Sequence, residues 1–157
     1  MSEDRKVAII TGSSQGLGAS IAIKLSQRNI NLVINYSNNK DMALKIKDEC
    51  VNNGVEAIAV QADVSSDDDC KKLVQETINA FGKVDILVNN AGTTKFADHS
   101  KLDKLSDEDF INIYKVNVIG PYQMIRAVEP IMKKNGFGSV VNISSIAGKT
   151  GIGSSIA

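Results

Sequence analysis

Short apolar runs alternate with longer amphipathic stretches along this chain. Most of the runs are apolar at consecutive positions, which is typical of strands that are covered on both faces of a sheet. The stretches between them repeat apolar residues at helical spacing. Five strands are predicted: KVAIIT (6–11), NLVINY (31–36), EAIAVQ (56–61), VDILVNN (84–90) and GSVVNIS (138–144).

Four helices are predicted between these strands, at about 17–28, 40–52 and 67–81 and from Ser106 to about residue 134. Ser66, followed three residues later by Asp69, is typical of an N-cap with an acidic first turn. Because strand and helix take turns, the pattern predicts an α/β fold, a doubly wound parallel sheet with helices on both faces. The tail after the last strand is rich in serine and glycine and is predicted as a loop.

Residues 106–134 carry a broad set of apolar side chains. This surface is expected to suit a neighbouring helix or subunit. The residues concerned are Ile113, Val116, Ile119, Met124, Ile125 and Val128.

The composition predicts one domain spanning residues 1–157 and disfavours nucleic acid and membranes as partners. A chain of 157 residues with 18 basic and 18 acidic side chains offers no charged surface for nucleic acid or a membrane. The polar start and the lack of a long apolar stretch favour a cytoplasmic protein. The two cysteines and one histidine are not clustered, so no metal site is predicted.

A glycine-rich segment, TGSSQGLG at 11–18, follows the first predicted strand and opens the first helix. Glycines at such a turn let the backbone bend sharply and let a pyrophosphate approach the unpaired N–H groups of the helix. The spacing is G-x-x-x-G-x-G, and no Gly-Lys-Ser/Thr follows, which excludes a nucleoside-triphosphate P-loop. The strand that leads into Thr11 is therefore expected at the centre of the sheet.

Five motifs occur in order at the predicted strand ends or in the fourth helix: TGSSQGLG, Asp63-Val64, NNAG at 89–92, Asn117 and NISS at 142–145. Together they resemble the short-chain dehydrogenase/reductase family, and the likeness covers the whole chain. The resemblance implies a Rossmann fold in which five of the usual seven strands are present, as the N-terminal portion of a single-domain enzyme. It also implies a homo-oligomer, a dimer or tetramer.

The resemblance further implies roles for individual residues. Asp63 and Val64 would contact adenine, and Ser145 would orient a carbonyl substrate. Asn117 would hold, through its backbone carbonyl, a water linked to a catalytic lysine. The residues implied to bind the dinucleotide are Gly12, Ser14, Gln15, Gly16, Leu17, Gly18, Asn35, Ser37, Asp63, Val64, Asn90, Ala91 and Gly92.

Each motif taken singly has a structural alternative. NNAG can be a turn after a buried strand, since Asn tolerates left-handed geometry. The Asp63-Val64 pair can simply open a loop, and the tail serines can be solvated. Only their joint occurrence favours the functional interpretation.

The end of the second strand bears on the choice of nicotinamide cofactor. A carboxylate there would hold the ribose hydroxyls and repel a 2′-phosphate. The chain instead has Asn35, Tyr36, Ser37 and Asn38, with Lys40 nearby. NADPH is therefore favoured over NADH, although Gln15 stands where related NADP-using enzymes often carry arginine.

Pro121 follows Asn117 by four residues and has no N–H, so the Asn117 carbonyl loses its helical partner. The hypothesis is that Pro121 frees this carbonyl for the water mentioned above. A plain kink that fits a long helix to the sheet is the alternative.

In the resembled family a tyrosine and a lysine complete the chemistry, and the spacing from Ser145 would put them at positions 158 and 162. The chain given ends at Ala157, and the expectation is a front portion of a longer enzyme. The predicted function is an NAD(P)(H)-dependent oxidoreductase that interconverts a ketone and a secondary alcohol, acting on a small carbonyl or acyl substrate as 3-oxoacyl-[acyl-carrier-protein] reductases do. The alternative is a non-catalytic dinucleotide-binding module or subunit, and the 157 residues alone are expected to be inactive.

Overall fold

A five-stranded parallel sheet forms the centre of the computed structural model, which describes residues 5–157. Its order is β3-β2-β1-β4-β5, so β1 is central and the winding direction changes between β1 and β4. In such sheets ligands bind beyond the carboxyl ends of the strands at this change of direction. The strands are Val7–Ile10 (β1), Asn31–Tyr36 (β2), Ala57–Gln61 (β3), Ile86–Asn89 (β4) and Ser139–Asn142 (β5).

The doubly wound fold predicted from the sequence is confirmed, because every strand pair is parallel and helices cover the sheet. The helices are Gly16–Ser26 (α1), Lys40–Asn52 (α2), Asp67–Phe81 (α3), Asp107–Tyr114 (α4), Gly120–Asn135 (α5) and Ala147–Thr150 (α6), with a 3₁₀ turn at Leu102–Lys104.

The tail is not entirely a loop, as the sequence predicted, because it contains the four-residue α6. The Ser145 hydroxyl accepts a hydrogen bond from the Ala147 N–H (3.1 Å), and Gly151 ends the turn in a left-handed conformation (φ 68°). Such local bonds and a terminal glycine stabilise a single helical turn that has no apolar stripe to signal it.

The predicted fourth helix is interrupted. A π-helical turn at Lys115–Ile119 separates α4 from α5, and the Gly120 N–H bonds the Lys115 carbonyl five residues earlier. Such turns commonly mark functional sites. The predicted fourth helix is therefore two helices joined by a π turn, and the break lies where Pro121 was expected to remove a helical bond, since it cannot supply an N–H to a regular α-helical ladder.

Alternate residues of the central strands pack against opposite helical layers, as strand geometry requires. Ile9, Val33 and Leu87 face α3 and α5, whereas Ile10 and Ile34 face α1 and α2. β5 differs from the other strands, because Val140 and Val141 at its centre are exposed by 40% and 44%.

The apolar surface predicted for residues 106–134 lies largely inside the protein. Met124 and Val128 are fully buried, and Val116 and Ile125 pack against the same core. The neighbouring helix expected for this surface is α3, on which α5 packs within the same chain. The exposed large side chains of α4, the π turn and α5 are instead Phe110, Ile111, Tyr114, Val118 and Tyr122.

Candidate functional site

A cleft of about 670 Å³ opens beyond the carboxyl ends of β1, β2, β3 and β4. It collects all but two of the residues that the sequence analysis assigned to dinucleotide binding. Leu17 and Gly18 are the exceptions, since they do not line it. The predicted residues that do line it are Gly12, Ser14, Gln15, Gly16, Asn35, Ser37, Asp63, Val64, Asn90, Ala91 and Gly92.

Glycine is needed at two positions of the loop for different structural reasons. Gly12 has φ 61°, and a β-carbon there would lie 2.9 Å from the Ala91 Cα. A β-carbon on Gly18 would lie 2.6 Å from the Gly12 carbonyl oxygen and 2.5 Å from the Asn90 side-chain nitrogen. Gly18 therefore acts behind the cleft, by allowing α1 to pack closely on the loop and on β4.

The N-terminus of α1 is open to the cleft. Gln15, its N-cap residue, makes no capping side-chain bond, and the first turn has no acidic residue. By contrast, Asn39, Ser66 and Ser106 cap α2, α3 and α4 through their side chains. The first N–H groups of a helix lack partners within the helix and carry its positive dipole end. The uncapped end of α1 is thus suited to an anionic group in the cleft.

Thr11 joins the glycine loop to the NNAG segment, a role that sequence reasoning missed. Its hydroxyl accepts bonds from the Asn90 and Ala91 N–H groups, both at 3.0 Å. The Asn90 side chain returns the connection by donating to the carbonyls of Thr11 (2.9 Å) and Gly12 (3.1 Å). Two cleft walls that lie almost 80 residues apart in sequence are therefore fixed relative to each other.

Asn35 fixes the glycine loop on its other side, where the loop faces β2. Its side-chain oxygen accepts from the Gly12 N–H (3.0 Å), and its nitrogen donates to the Ala62 carbonyl (3.0 Å). The residue is only 2% exposed. Its amide is thus occupied within the protein, which supports a positioning role rather than a direct bond to a ligand.

Ser37, at the entrance to the cleft, is held by a residue that the sequence analysis did not select. The Gln61 side chain donates to the Ser37 carbonyl (2.8 Å) and also lines the cleft. Asn38 lines the cleft as well, and among residues 35–38 there is no carboxylate. A polar strand-end residue at the last position of β3 was the signal available in the sequence.

Asp63 and Val64 form a braced turn at the end of β3. The Asp63 N–H donates to the Asp69 carboxylate (2.8 Å), and the Ser65 N–H donates to the Asp63 carboxylate (2.9 Å). The Val64 carbonyl accepts from the buried Gln123 side chain (2.9 Å) and from the Cys70 thiol (3.4 Å). Burial and the nearby carboxylates raise the pKa of the Cys70 thiol to about 12, so that it keeps its proton and remains a donor.

Asn117 bonds Thr93, in the wall of the cleft, through its side chain, a contact that the sequence analysis did not predict. The side-chain oxygen accepts from the Thr93 N–H (2.8 Å), and the nitrogen donates to the Thr93 carbonyl (2.9 Å). This pair of bonds ties the π turn to the segment after NNAG. The role of the Asn117 backbone carbonyl stays a prediction.

A second cleft of about 670 Å³ shares the 90–93 wall with the first. Asn117 and Ser145, the two residues assigned to catalysis, both line it. Ser145 accepts the Ala147 N–H, so its own hydroxyl proton is left to donate into the cleft. At the floor of this cleft, the Asn89 side chain donates to the Asn142 side chain (2.8 Å) and so links the ends of β4 and β5.

No tyrosine of the described residues lines the second cleft. Tyr36 is buried at the end of β2 and borders the first cleft, while Tyr114 and Tyr122 are more than half exposed. A tyrosine proton donor beside Ser145 is therefore not supplied by residues 5–157.

Within residues 5–157, no three metal-binding side chains of His, Cys, Asp or Glu come together. None of the helices in this part of the chain combines the length and the apolar character that crossing a membrane requires.

Comparison with known proteins agrees with this arrangement. The chain is 36% identical over 146 residues to the 3-oxoacyl-[acyl-carrier-protein] reductase FabG of Staphylococcus epidermidis, a match that covers 93% of this chain and 59% of that protein. Two similar solved structures are an NAD⁺-bound xylitol dehydrogenase (28% identity, TM-score 0.87, covering 98% of this chain and 58% of the other) and a metagenomic short-chain oxidoreductase in complex with NADP (33% identity, TM-score 0.84, covering 92% and 64%). The chain thus spans about three-fifths of the length of the relatives that it matches.

The sequence model of the short chain dehydrogenase family matches residues 6–157, nearly the whole chain. The glycine loop, the central β1 and the two adjoining clefts all lie within the matched segment. The chain therefore belongs to the short-chain dehydrogenase family.

Proposed function

We propose that the first cleft binds a nicotinamide dinucleotide and that the protein contributes to an oxidoreductase interconverting a ketone and a secondary alcohol. The observation that carries this proposal is the uncapped, acid-free N-terminus of α1, which opens on a glycine-bordered cleft while α2, α3 and α4 are capped. A pyrophosphate would accept bonds from the first-turn amides of α1. Support also comes from the NAD⁺ and NADP bound by two structural neighbours.

Within this proposal, the rest of the first cleft holds the two nucleoside halves. The Asp63 carboxylate retains acceptor capacity for the amino group of adenine, and the adjacent Val64 lines the same end of the cleft. Ala91 and Gly92 form the wall shared with the second cleft, so the nicotinamide half lies next to Ser145. The bound dinucleotide would supply the hydride.

The proposed substrate is a small ketone or acyl compound in the second cleft. Its carbonyl oxygen would accept the Ser145 hydroxyl proton, which orients the carbonyl and stabilises the charge that develops on the oxygen. The likeness to 3-oxoacyl-[acyl-carrier-protein] reductases favours a 3-oxoacyl substrate. Because none of the tyrosines within residues 5–157 lies beside Ser145, we propose that this polypeptide binds the dinucleotide without reducing a ketone.

We also propose NADPH as the preferred dinucleotide. Ser37 and Asn38 offer hydroxyl and amide donors at the entrance, and no carboxylate among residues 35–38 would repel a 2′-phosphate. Lys40 begins α2 immediately after this loop. Homo-oligomer formation and a cytoplasmic location remain predictions, the former supported by the exposed apolar residues of α4 and α5.

The test is a fluorescence titration with NADPH and NADH, using the protein and two variants at one position. Ser37→Asp places a carboxylate where the 2′-phosphate is expected, and should weaken NADPH binding about tenfold or more while leaving NADH binding equal or stronger. Ser37→Ala is the matched control that removes the hydroxyl donor without adding a charge; it should weaken NADPH binding less than Ser37→Asp does and leave NADH binding unchanged. If neither dinucleotide binds the protein, the proposed function fails. If Ser37→Asp weakens NADH and NADPH equally, the NADPH preference fails.

A second measurement addresses catalysis. NADPH absorbance is followed with a 3-oxoacyl thioester as substrate, and no steady loss is expected from this polypeptide. Steady oxidation would contradict the proposed need for a tyrosine outside residues 5–157. Dinucleotide binding by the full-length protein without turnover would favour the alternative of a non-catalytic binding module.

A further inference from the structure

The rear of the Asp63-Val64 turn is built by α5, a helix whose role in the cleft the sequence motifs do not indicate. Gln123 is 8% exposed, and its side-chain nitrogen donates to the Val64 carbonyl at 2.9 Å. Gln123 does not line the cleft itself. It can therefore affect a ligand only through the turn that it holds.

The contact between α5 and the turn is close on the backbone as well. A β-carbon on Gly120 would lie 2.9 Å from a Val64 methyl carbon and 3.1 Å from the Val64 carbonyl oxygen. Gly120 thus lets α5 approach, and Gln123, almost one turn further on, supplies the bond. The Cys70 thiol of α3 donates to the same oxygen at 3.4 Å, so the carbonyl is held from two helices.

We propose that Gln123 is a positioning residue for base recognition, fixing the Asp63-Val64 turn at the adenine end of the cleft. This inference rests on the proposed dinucleotide function. Without the Gln123 donor, the Val64 carbonyl keeps only the weaker bond from sulfur, and the turn loses its hydrogen bond to α5 although the Asp63 N–H still bonds Asp69. The glycine loop and Ser37 are held by Asn35 and Gln61 instead, so the phosphate end would keep its geometry.

The preference for NADPH over an analogue with another base is a measurement that a merely structural role of Gln123 would not change. Adenine presents an amino donor at C6, which suits the Asp63 carboxylate, whereas hypoxanthine presents an oxygen there and a proton on N1. The protein should bind NADPH more tightly than its hypoxanthine analogue. Misplacing the turn should reduce this preference for adenine, whereas a general loss of stability should leave the ratio of the two dissociation constants unchanged.

The experiment compares Gln123→Met with the protein and with Thr77→Val. Met keeps the length of the side chain and removes the donor. Thr77 is fully buried on α3, away from the cleft, and its hydroxyl donates to the Leu73 carbonyl at 2.8 Å, so Thr77→Val removes a buried bond that does not touch the turn. We expect Gln123→Met to lower the adenine preference about three- to tenfold and Thr77→Val to leave it unchanged.

Gly120→Ala serves as a second route to the same turn, because its methyl group would push on Val64 directly. It should lower the adenine preference even though Gln123 is intact. If both variants fold and bind with the adenine preference of the protein, or if Thr77→Val lowers it equally, the positioning role is overturned. Should the unmodified protein bind neither NADPH nor NADH, it is the proposed function that fails.

Discussion

Replacing Thr11 by Val tests whether one hydroxyl holds the two central loops together. The change preserves the shape of the side chain and removes the acceptor that serves the Asn90 and Ala91 N–H groups. Thr11 is 1% exposed, and both bonds measure 3.0 Å, so both donors lose a well-formed partner. The hydroxyl also donates to the Val88 carbonyl at 3.4 Å, a longer and weaker contact.

The size of the effect follows from the two donors left without a partner. A buried donor without a partner costs about 1–3 kcal/mol. Asn90 and Ala91 are only partly buried, which places each cost near the lower end of that range. We therefore expect Thr11→Val to lower the free energy of unfolding by about 2–3 kcal/mol. Thr11→Ser keeps the hydroxyl, loses one methyl group and should cost about 1 kcal/mol.

The assay is urea unfolding followed by circular dichroism for the protein and both variants. With a denaturant dependence of about 2 kcal/mol/M, Thr11→Val should lower the midpoint by about 1 M or slightly more, and Thr11→Ser by about half that. The dinucleotide should bind less tightly to Thr11→Val, because the glycine loop and the NNAG wall lose their connection. Equal midpoints for the two variants would refute the reasoning, since Ser keeps the hydroxyl that Val replaces with a methyl group.

Two further predictions concern close packing and pH. Gly18→Ala should lower the free energy of unfolding by about 1–3 kcal/mol and weaken dinucleotide binding, because its methyl group meets the Gly12 carbonyl and the Asn90 side chain. Gly54→Ala, where φ is 91° and nothing lies within 4 Å, should cost about 1 kcal/mol and leave binding unchanged; equal binding losses would contradict the prediction. Because the pKa of Cys70 is about 12 in the folded protein against 9.0 ordinarily, the unfolded chain releases this proton first, so stability is retained below about pH 9 and is lost as pH rises toward 12. Urea unfolding between about pH 8 and pH 10.5 should show a smaller decline for Cys70→Ala, and parallel declines would argue against it.

The sequence predicted the strands, the central position of β1 and many of the residues that line the first cleft. These features depend on local periodicity and on glycine. Consecutive apolar residues indicated buried strands, and the loop at 11–18 could only follow a strand that feeds α1. The conformation of Gly12 and the close approach of Gly18 are the physical reasons that this motif is readable.

The bonds that hold the site could not be predicted in the same way. Asn35, Asn90 and Asn117 were selected as residues, but each amide offers both donors and acceptors, and its partner lies 23 to 79 positions away. The sequence does not show which atom it will meet. Gln61 and Gln123 were missed for the same reason.

The form of the break in the predicted fourth helix could not be predicted from the sequence either. Pro121 shows that a regular ladder must fail near residue 117, but not how the chain repairs the failure. The π turn at Lys115–Ile119 settles that question by adding a residue to the turn, and it determines which side chains of α5 face the core.

The bonds that shape both clefts come mainly from asparagine and glutamine, whose amides neither gain nor lose a proton in the physiological range. A framework of carboxylates or histidine would rearrange when acidified. These neutral ties should keep the same loop geometry in weak acid and weak alkali. A change in affinity with acidity should then originate in the ligand, in the Asp63 and Asp69 carboxylates of the turn after β3, or in the charged groups at the rim.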